Sequence, residues 1–393
     1  MPRHIVVAPD KFKGSISAAD AAAEISRGLQ RRDPTIRTIE CPIADGGEGT
    51  LAAALAAGFE RIPVAAPGPT GERTLTAYAR KGQLAVIEMA DISGLHRLPA
   101  GVLRPMTASS RGLGTVVARA LDDGCREIVL GIGGSACTDG GAGFLRALGA
   151  EVVNAHGSPI RDGGGALSQA TMLDVSWLHP GLGDAKITLA SDVDNPLCGP
   201  TGAAAVYGPQ KGATPTQVAE LDAALAHWAD RVAAATGRDA RDSPGAGAAG
   251  GVGFAALTVL QAEFRSGIDL ILELVGIDQH LDGACAVITG EGSLDHQSLH
   301  GKAPIGVRLH ATARDVPTYA IVGVSRLSPE EEAASQFAAI YSLQDREPDV
   351  ARSMAGAADL IASAAEELAA EHLLAVDRSR EERTGLLTNR SSE

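Results

Sequence analysis

Short apolar runs closed by Gly, Pro, Asp or Asn alternate along the chain with longer stretches in which apolar residues recur at helical spacing. The runs at residues 4–8, 35–41, 84–89, 127–132, 186–190, 284–289, 318–322 and 337–342 predict strands. The longer stretches predict helices over 17–30, 49–57, 113–122, 215–235, 268–275, 304–314 and 351–374, the first opened by Ser17 and Asp20 at capping-box spacing. Strands alternating with helices are the pattern of an α/β fold with mostly parallel sheets. Residues 67–89 depart from it, because PGPTGERTLTAYARKGQLAVIEM reads as two strands joined by a turn at Lys81-Gly82, a hairpin that makes its sheet mixed. Regular alternation returns from Ile268. The expected architecture is therefore two domains. A Rossmann-like three-layer α/β domain uses both chain ends, residues 1–66 and 263–376, and an inserted α/β domain with a mixed sheet occupies 67–262. The polar stretch 377–393 is expected to be a disordered tail.

Composition narrows the partners. A length of 393 residues with 45% hydrophobic content supports two or three packed domains, and the net charge of -14 argues against a nucleic acid or an anionic membrane as partner. Any phosphorylated ligand then needs positive charge supplied locally. The first apolar run meets Pro9-Asp10-Lys11 too soon for a signal-peptide core, so a cytoplasmic protein is expected. Residues 244–253, PGAGAAGGVG, are too glycine-rich for a membrane span; the GAGAAG within them lacks the preceding strand of a dinucleotide fingerprint and reads as a hinge or a place of close backbone approach. Five scattered cysteines without a CxxC pair disfavour a disulfide framework or a zinc site. Only six of the 34 basic residues are lysine, and Lys11, Lys13, Lys211 and Lys302 all fall in Gly-containing polar loops. A lysine there supplies a compact charge for a phosphate oxygen, unless codon bias alone explains the pattern.

Five loops repeat one arrangement, a strand end followed by glycines and carboxylates. They are APDKFKGS (residues 8–15), PIADGGEGT (42–50), GIGGSACTDGGAG (131–143), SDVDNPLCG (191–199) and TGEGSLD (289–295), the last running on to Gly301-Lys302. A sixth stretch, GPTGAAAVYGPQKG (199–212), adds Lys211. One such loop alone is ordinary turn chemistry, and the 131–143 stretch is either a tight packing corner or an anion cradle of bare backbone N–H groups. It has no Walker lysine, so a lysine must come from another loop. Taken together the inventory suits phosphoryl transfer, in which lysines, backbone N–H groups and Mg²⁺ on oxygen ligands neutralise phosphate charge.

On that reading Asp192 is the candidate general base, with Asp45 competing and Lys13 as catalytic cation. Gly133, Gly134, Ser135, Thr138, Asp139, Glu291, Ser293 and Lys302 are the candidate nucleotide contacts. Asp10, Lys11, Ser15, Glu48, Asn195 and Lys211 are the candidate acceptor contacts, and Asp194 and Asp295 the candidate Mg²⁺ ligands. Which loop holds nucleotide and which the acceptor stays open.

From residue 4 to about 375 these strings, in this order, closely resemble the bacterial glycerate kinase family of the glycerate 2-kinase type, as distinct from the MOFRL type. The resemblance implies ATP-dependent phosphorylation of D-glycerate, usually on the 2-hydroxyl, and two α/β domains with a cleft between them. ATP with Mg²⁺ and D-glycerate are the expected small-molecule partners, with closure on substrate and a homodimer as the candidate assembly. A kinase for another small hydroxy acid or polyol, and a sensor that binds without transfer, remain the alternatives.

Overall fold

A computed structural model of the chain describes residues 4–296 and 298–373; the tail expected at 377–393 lies outside the described residues. The chain folds as two compact units, a terminal unit that runs to Ile43 and resumes at Leu272, and a middle unit, Ala44–Ile271. It opens with β1 (His4–Pro9) and β2 (Thr38–Glu40). In the middle unit follow β3 (Glu60–Pro67), β4 (Arg73–Lys81), β5 (Leu84–Glu88), β6 (Glu127–Gly131), β7 (Glu151–Val153), β8 (Met172–Asp174), β9 (Lys186–Ala190) and β10 (Glu263–Arg265). The terminal unit resumes with β11 (Ala284–Gly290), β12 (Ser293–Leu294), β13 (Thr318–Val322), β14 (Val324–Ser325) and β15 (Ala339–Ser342).

In the terminal unit the sheet has the order β15-β13-β11-β1-β2, and every pairing is parallel. Strands covered on both faces read as continuous apolar runs, which is why Ile5–Ala8 and Ala286–Ile288 are buried without alternation. Helix Ala18–Arg32 begins where the Ser17 hydroxyl accepts the Asp20 N–H and ends on Arg31 and Arg32, the charge order its dipole favours. The chain leaves β1 toward β2 on one side and later returns to β11 on the other. Strand order therefore reverses between β1 and β11, the point at which open α/β sheets take their ligands.

The middle unit carries a six-stranded sheet, β10-β9-β6-β5-β4-β3. Strands β5, β6, β9 and β10 are parallel, and β4 runs antiparallel to both β3 and β5 across the expected Lys81-Gly82 turn. Strand β3, with Pro63 and Pro67 in it, escapes the sequence pattern yet pairs along its whole length with β4, from Glu60–Arg80 to Pro67–Arg73. Residues 44–66 thus lie in the middle unit, not with the first strands, and β10 pairs with β9 beyond the boundary expected at 262.

Of the two readings of residues 244–253, close backbone approach is the one found, and one expected helix changes. The glycine-rich stretch opens helix Ala248–Val259, and its Gly250 packs so tightly that a Cβ would lie 2.2 Å from the Cys137 carbonyl oxygen. It serves close backbone approach inside the middle unit and is not placed where the chain passes between units. The expected long helix at 351–374 is two, Val350–Ala355 and Ala357–Leu368, broken at Gly356. Among the described residues no helix is long and apolar enough to cross a membrane.

Candidate active site

In the middle unit β5, β6 and β9 run in register, so Glu88, Gly131 and Ala190 end side by side. The loop Asp45–Gly49 lies over these ends. Gly133 donates its N–H to the Gly46 carbonyl at 3.2 Å, and a Cβ on Gly133 would come within 2.6 Å of the Gly47 Cα. On the other flank a Cβ on Gly267 would lie 2.1 Å from the Asp45 carbonyl oxygen. Bare backbone at 133 and 267 is what lets the Asp45 loop seat here. Glu88, buried at the end of β5, holds the far end of that loop by accepting the N–H groups of Gly49 (3.1 Å) and Leu51 (2.9 Å).

Asp192 follows β9 into the same place. Its Oδ1 accepts the Gly267 N–H at 2.8 Å and the Ser266 hydroxyl at 3.2 Å. The side chain as a whole is exposed, but protein packed around the carboxyl end disfavours its charge, and the repulsion of Asp45 adds to this against the Gly267 bond. Together they push its pKa up to about 6. An oriented carboxylate that gains its proton near neutrality suits a proton acceptor.

The glycine-rich stretch 131–143 divides in two. Only Gly133 and Gly134 reach the surface. Thr138 and Asp139, expected at the nucleotide, are wholly buried. Asp139 accepts Ser110 N–H (2.8 Å) and Oγ–H (2.9 Å) and the N–H groups of Gly141 (3.2 Å) and Gly143 (3.3 Å), so its carboxylate shapes its own loop. Burial raises its pKa against the pull of these donors. Lys211 is also a structural surprise: 2% exposed, it donates to Ser135 Oγ at 3.0 Å and to the Cys137 carbonyl at 2.5 Å. A lysine does enter the stretch from another loop, but from beneath, and its ammonium is spent on the loop itself. Burial lowers its pKa. Asn195 is likewise committed, donating to the Thr201 carbonyl at 2.8 Å and accepting the Tyr207 hydroxyl at 2.5 Å. Glu48 is exposed and lines a cleft of about 250 Å³ with Arg61, Glu88, Asp91 and His96. Asp194 is exposed.

In the terminal unit the exits of β1 and β11 meet at the reversal of strand order. Asp10 and Glu291 are both buried there. The Lys11 ammonium stands 3.6 Å from Asp10 Oδ1, and Lys13 is exposed on the next turn. Ser15 points elsewhere, donating to the Met354 carbonyl at 2.7 Å. Ser293 lies in β12, where its carbonyl accepts the Ser298 hydroxyl at 3.4 Å. Asp295 Oδ1 accepts the Ser298 N–H at 3.1 Å and hydroxyl at 3.3 Å and lies 3.8 Å from the Lys302 ammonium. Lys302 is the N-cap of helix Ala303–Thr312, whose first N–H groups favour an anion. Burial, with Asp10 and Asp295 adding repulsion, overrides Ser298 and Lys302 and pushes the Glu291 pKa up to about 7.

Among the described residues no group of three or more His, Cys, Asp or Glu side chains could hold a metal ion, so neither Asp194 nor Asp295 belongs to a protein-only cage. Sequence reasoning passed over Glu88, Ser266, Gly267 and Ser298. A carboxylate at a strand end was a readable signal for Glu88; nothing local marks Gly267, which matters only because Asp45 packs on it.

A profile of the glycerate kinase family matches residues 5–373. The glycerate kinase of Bacillus subtilis (strain 168) is 47% identical over 322 residues, covering 81% of this chain and 84% of that protein. The glycerate 2-kinase of Escherichia coli (strain K12) is 44% identical over 81% of this chain and 84% of its own length. A crystal structure of a Salmonella typhimurium LT2 protein, provisionally named glycerate kinase 2, superposes with a TM-score of 0.81 at 37% identity, covering 96% of this chain and 99% of that one. The chain belongs to the glycerate kinase family.

Proposed function

We propose that the protein transfers the γ-phosphoryl group of ATP to the 2-hydroxyl of D-glycerate, giving 2-phosphoglycerate and ADP. The hydroxyl oxygen bonds to the γ-phosphorus, the bond to the bridging oxygen of ADP breaks, and the hydroxyl proton passes to Asp192. One observation carries the assignment of the base. Asp192 is held by Gly267 and Ser266 at the carboxyl end of β9 beside Asp45, and its pKa of about 6 leaves it ionised at neutral pH and still basic. Asp45, on the neighbouring loop, is the second choice. Lys11, Lys13 and Lys302, with the first N–H groups of helix Ala303–Thr312, supply positive charge for phosphate in the terminal unit. Mg²⁺ commonly binds through one or two carboxylates plus substrate phosphates, so it enters as the ATP complex and not through a protein-held cage.

Turnover of each glycerate enantiomer with ATP and Mg²⁺, with products resolved by ³¹P NMR, tests the reading. Formation of 2-phosphoglycerate from the D form is expected. A 3-phosphate product corrects the regiochemistry, and no turnover of either enantiomer removes the function.

A further inference from the structure

Glu291 leaves β11 where strand order reverses, 9% exposed, and its Oε1 is buried without a hydrogen-bond partner. A buried polar atom left unpaired in a native site calls for an occupant. Asp10, at the exit of β1, and Asp295 and Lys302, from the segment that follows, act on its charge, and Ser298 bonds to its carboxyl group. At the exit of β13, Gly323 donates its N–H to the Glu291 carbonyl at 3.0 Å. Lys302, the lysine that acts on it, also stands 3.8 Å from Asp295 Oδ1.

We propose that Glu291 enters the nucleotide complex protonated, donating from Oε1 to a phosphate oxygen, so that nucleotide binding takes up a proton at this side chain. The proposal rests on the reading of the terminal unit as the ATP site. A carboxyl O–H bonds to a phosphate oxygen, whereas an ionised carboxylate has only acceptors and repels it. The titration is in reach at neutral pH, since burial and the two aspartates bring the pKa up to about 7. A carboxylate that instead ligated the Mg²⁺ of the nucleotide complex would have to be ionised, and binding would release a proton. The sign of the proton change therefore separates the two roles.

Calorimetric titration of Mg·ADP into the full-length protein, at pH values from about 6 to 9 and each in two buffers of different protonation enthalpy, counts the protons. Glu291→Gln keeps an N–H donor without a titrating group, and the phosphate protons of the nucleotide cancel in the comparison. The wild type is expected to take up as much as about one proton more than the variant, with affinity falling up to about tenfold per pH unit above about 8 while the variant stays flat. Proton release by the wild type, equal proton counts in the two proteins, or loss of affinity by the variant at low pH overturns the proposal. If Glu291→Gln does not fold, absence of uptake in the wild type alone overturns it. Binding without uptake removes the role of Glu291 and leaves the ATP reading standing; no binding at any pH removes both.

Discussion

At the scale of single residues, the chemistry turns on what each polar atom is already bonded to. Asp192 is the test case, because two donors orient its carboxylate without neutralising it. Asp192→Asn keeps the size and much of the hydrogen bonding but cannot act as an anionic base. Its kcat should drop by about 10²–10⁴ with KM for both substrates largely kept, as steady-state kinetics would show. Near-normal kcat in a folded variant transfers the base to Asp45. The wild-type profile has a definite sign: with the carboxyl pKa raised to about 6, kcat is level above that value and falls as pH drops through it. The same raised value means the folded state binds more protons than the unfolded one between 3.8 and about 6, so this group's contribution to stability is present below that window and is lost as pH rises through it. Thr138, Asp139, Ser15 and Asn195 show the limit of reading residues singly. A polar side chain in such a loop looks the same in sequence whether it faces a ligand or ties its own loop, and only its partners in space decide.

At the scale of elements, strand ends and the loops beyond them place the groups. The boundaries of β9 and β13 were legible to the residue because apolar runs there stop against Ser or Gly. Loop-on-loop seating was not. Gly267→Ala puts a Cβ against the Asp45 carbonyl and shifts the backbone that holds Asp192, so it should cost about 1–3 kcal/mol and lower kcat together with the thermal midpoint. A Gly267→Ala protein with unaltered kcat and melting would show that the Asp45 loop yields at no cost to the site. Lys211→Met orphans two buried acceptors, Ser135 Oγ and the Cys137 carbonyl. It is expected to destabilise the middle unit by about 1–3 kcal/mol per acceptor in urea unfolding, through the fold of the loop and not through a missing substrate contact. Retained stability with a raised KM for glycerate would return Lys211 to the acceptor site.

At the scale of the whole molecule, a net charge of -14 opposes two anionic substrates. The lysines that would meet phosphate act at contact distance, well inside the Debye length of about 8 Å at physiological salt, whereas the repulsion is summed over distant carboxylates. Added salt should screen the second more than the first. KM for ATP and for glycerate is therefore expected to fall as NaCl rises from about 10 to 150 mM with free Mg²⁺ held constant, and a steep rise instead would show that local positive charge governs encounter.

Most of the strands and helices, the mixed sheet, the loops that carry Asp10, Asp45, Asp192 and Glu291, and the family resemblance were present in the sequence alone, while β3 and the short β7, β8 and β10 were not. Apolar periodicity and turn residues act over a few neighbours, and the loop strings are specific enough to mark the family. Tertiary structure decided the rest. It assigned β3 and residues 44–66 to the middle unit through pairing with β4, chose close backbone approach over a hinge for the glycines at 245–253, and divided the glycine-rich stretch into an exposed rim and a buried base held by Asp139 and Lys211. It also left Glu291 with an unpaired oxygen. Each of these depends on which atoms from distant parts of the chain satisfy a polar group or exclude a side chain, and that information exists only once the chain has folded.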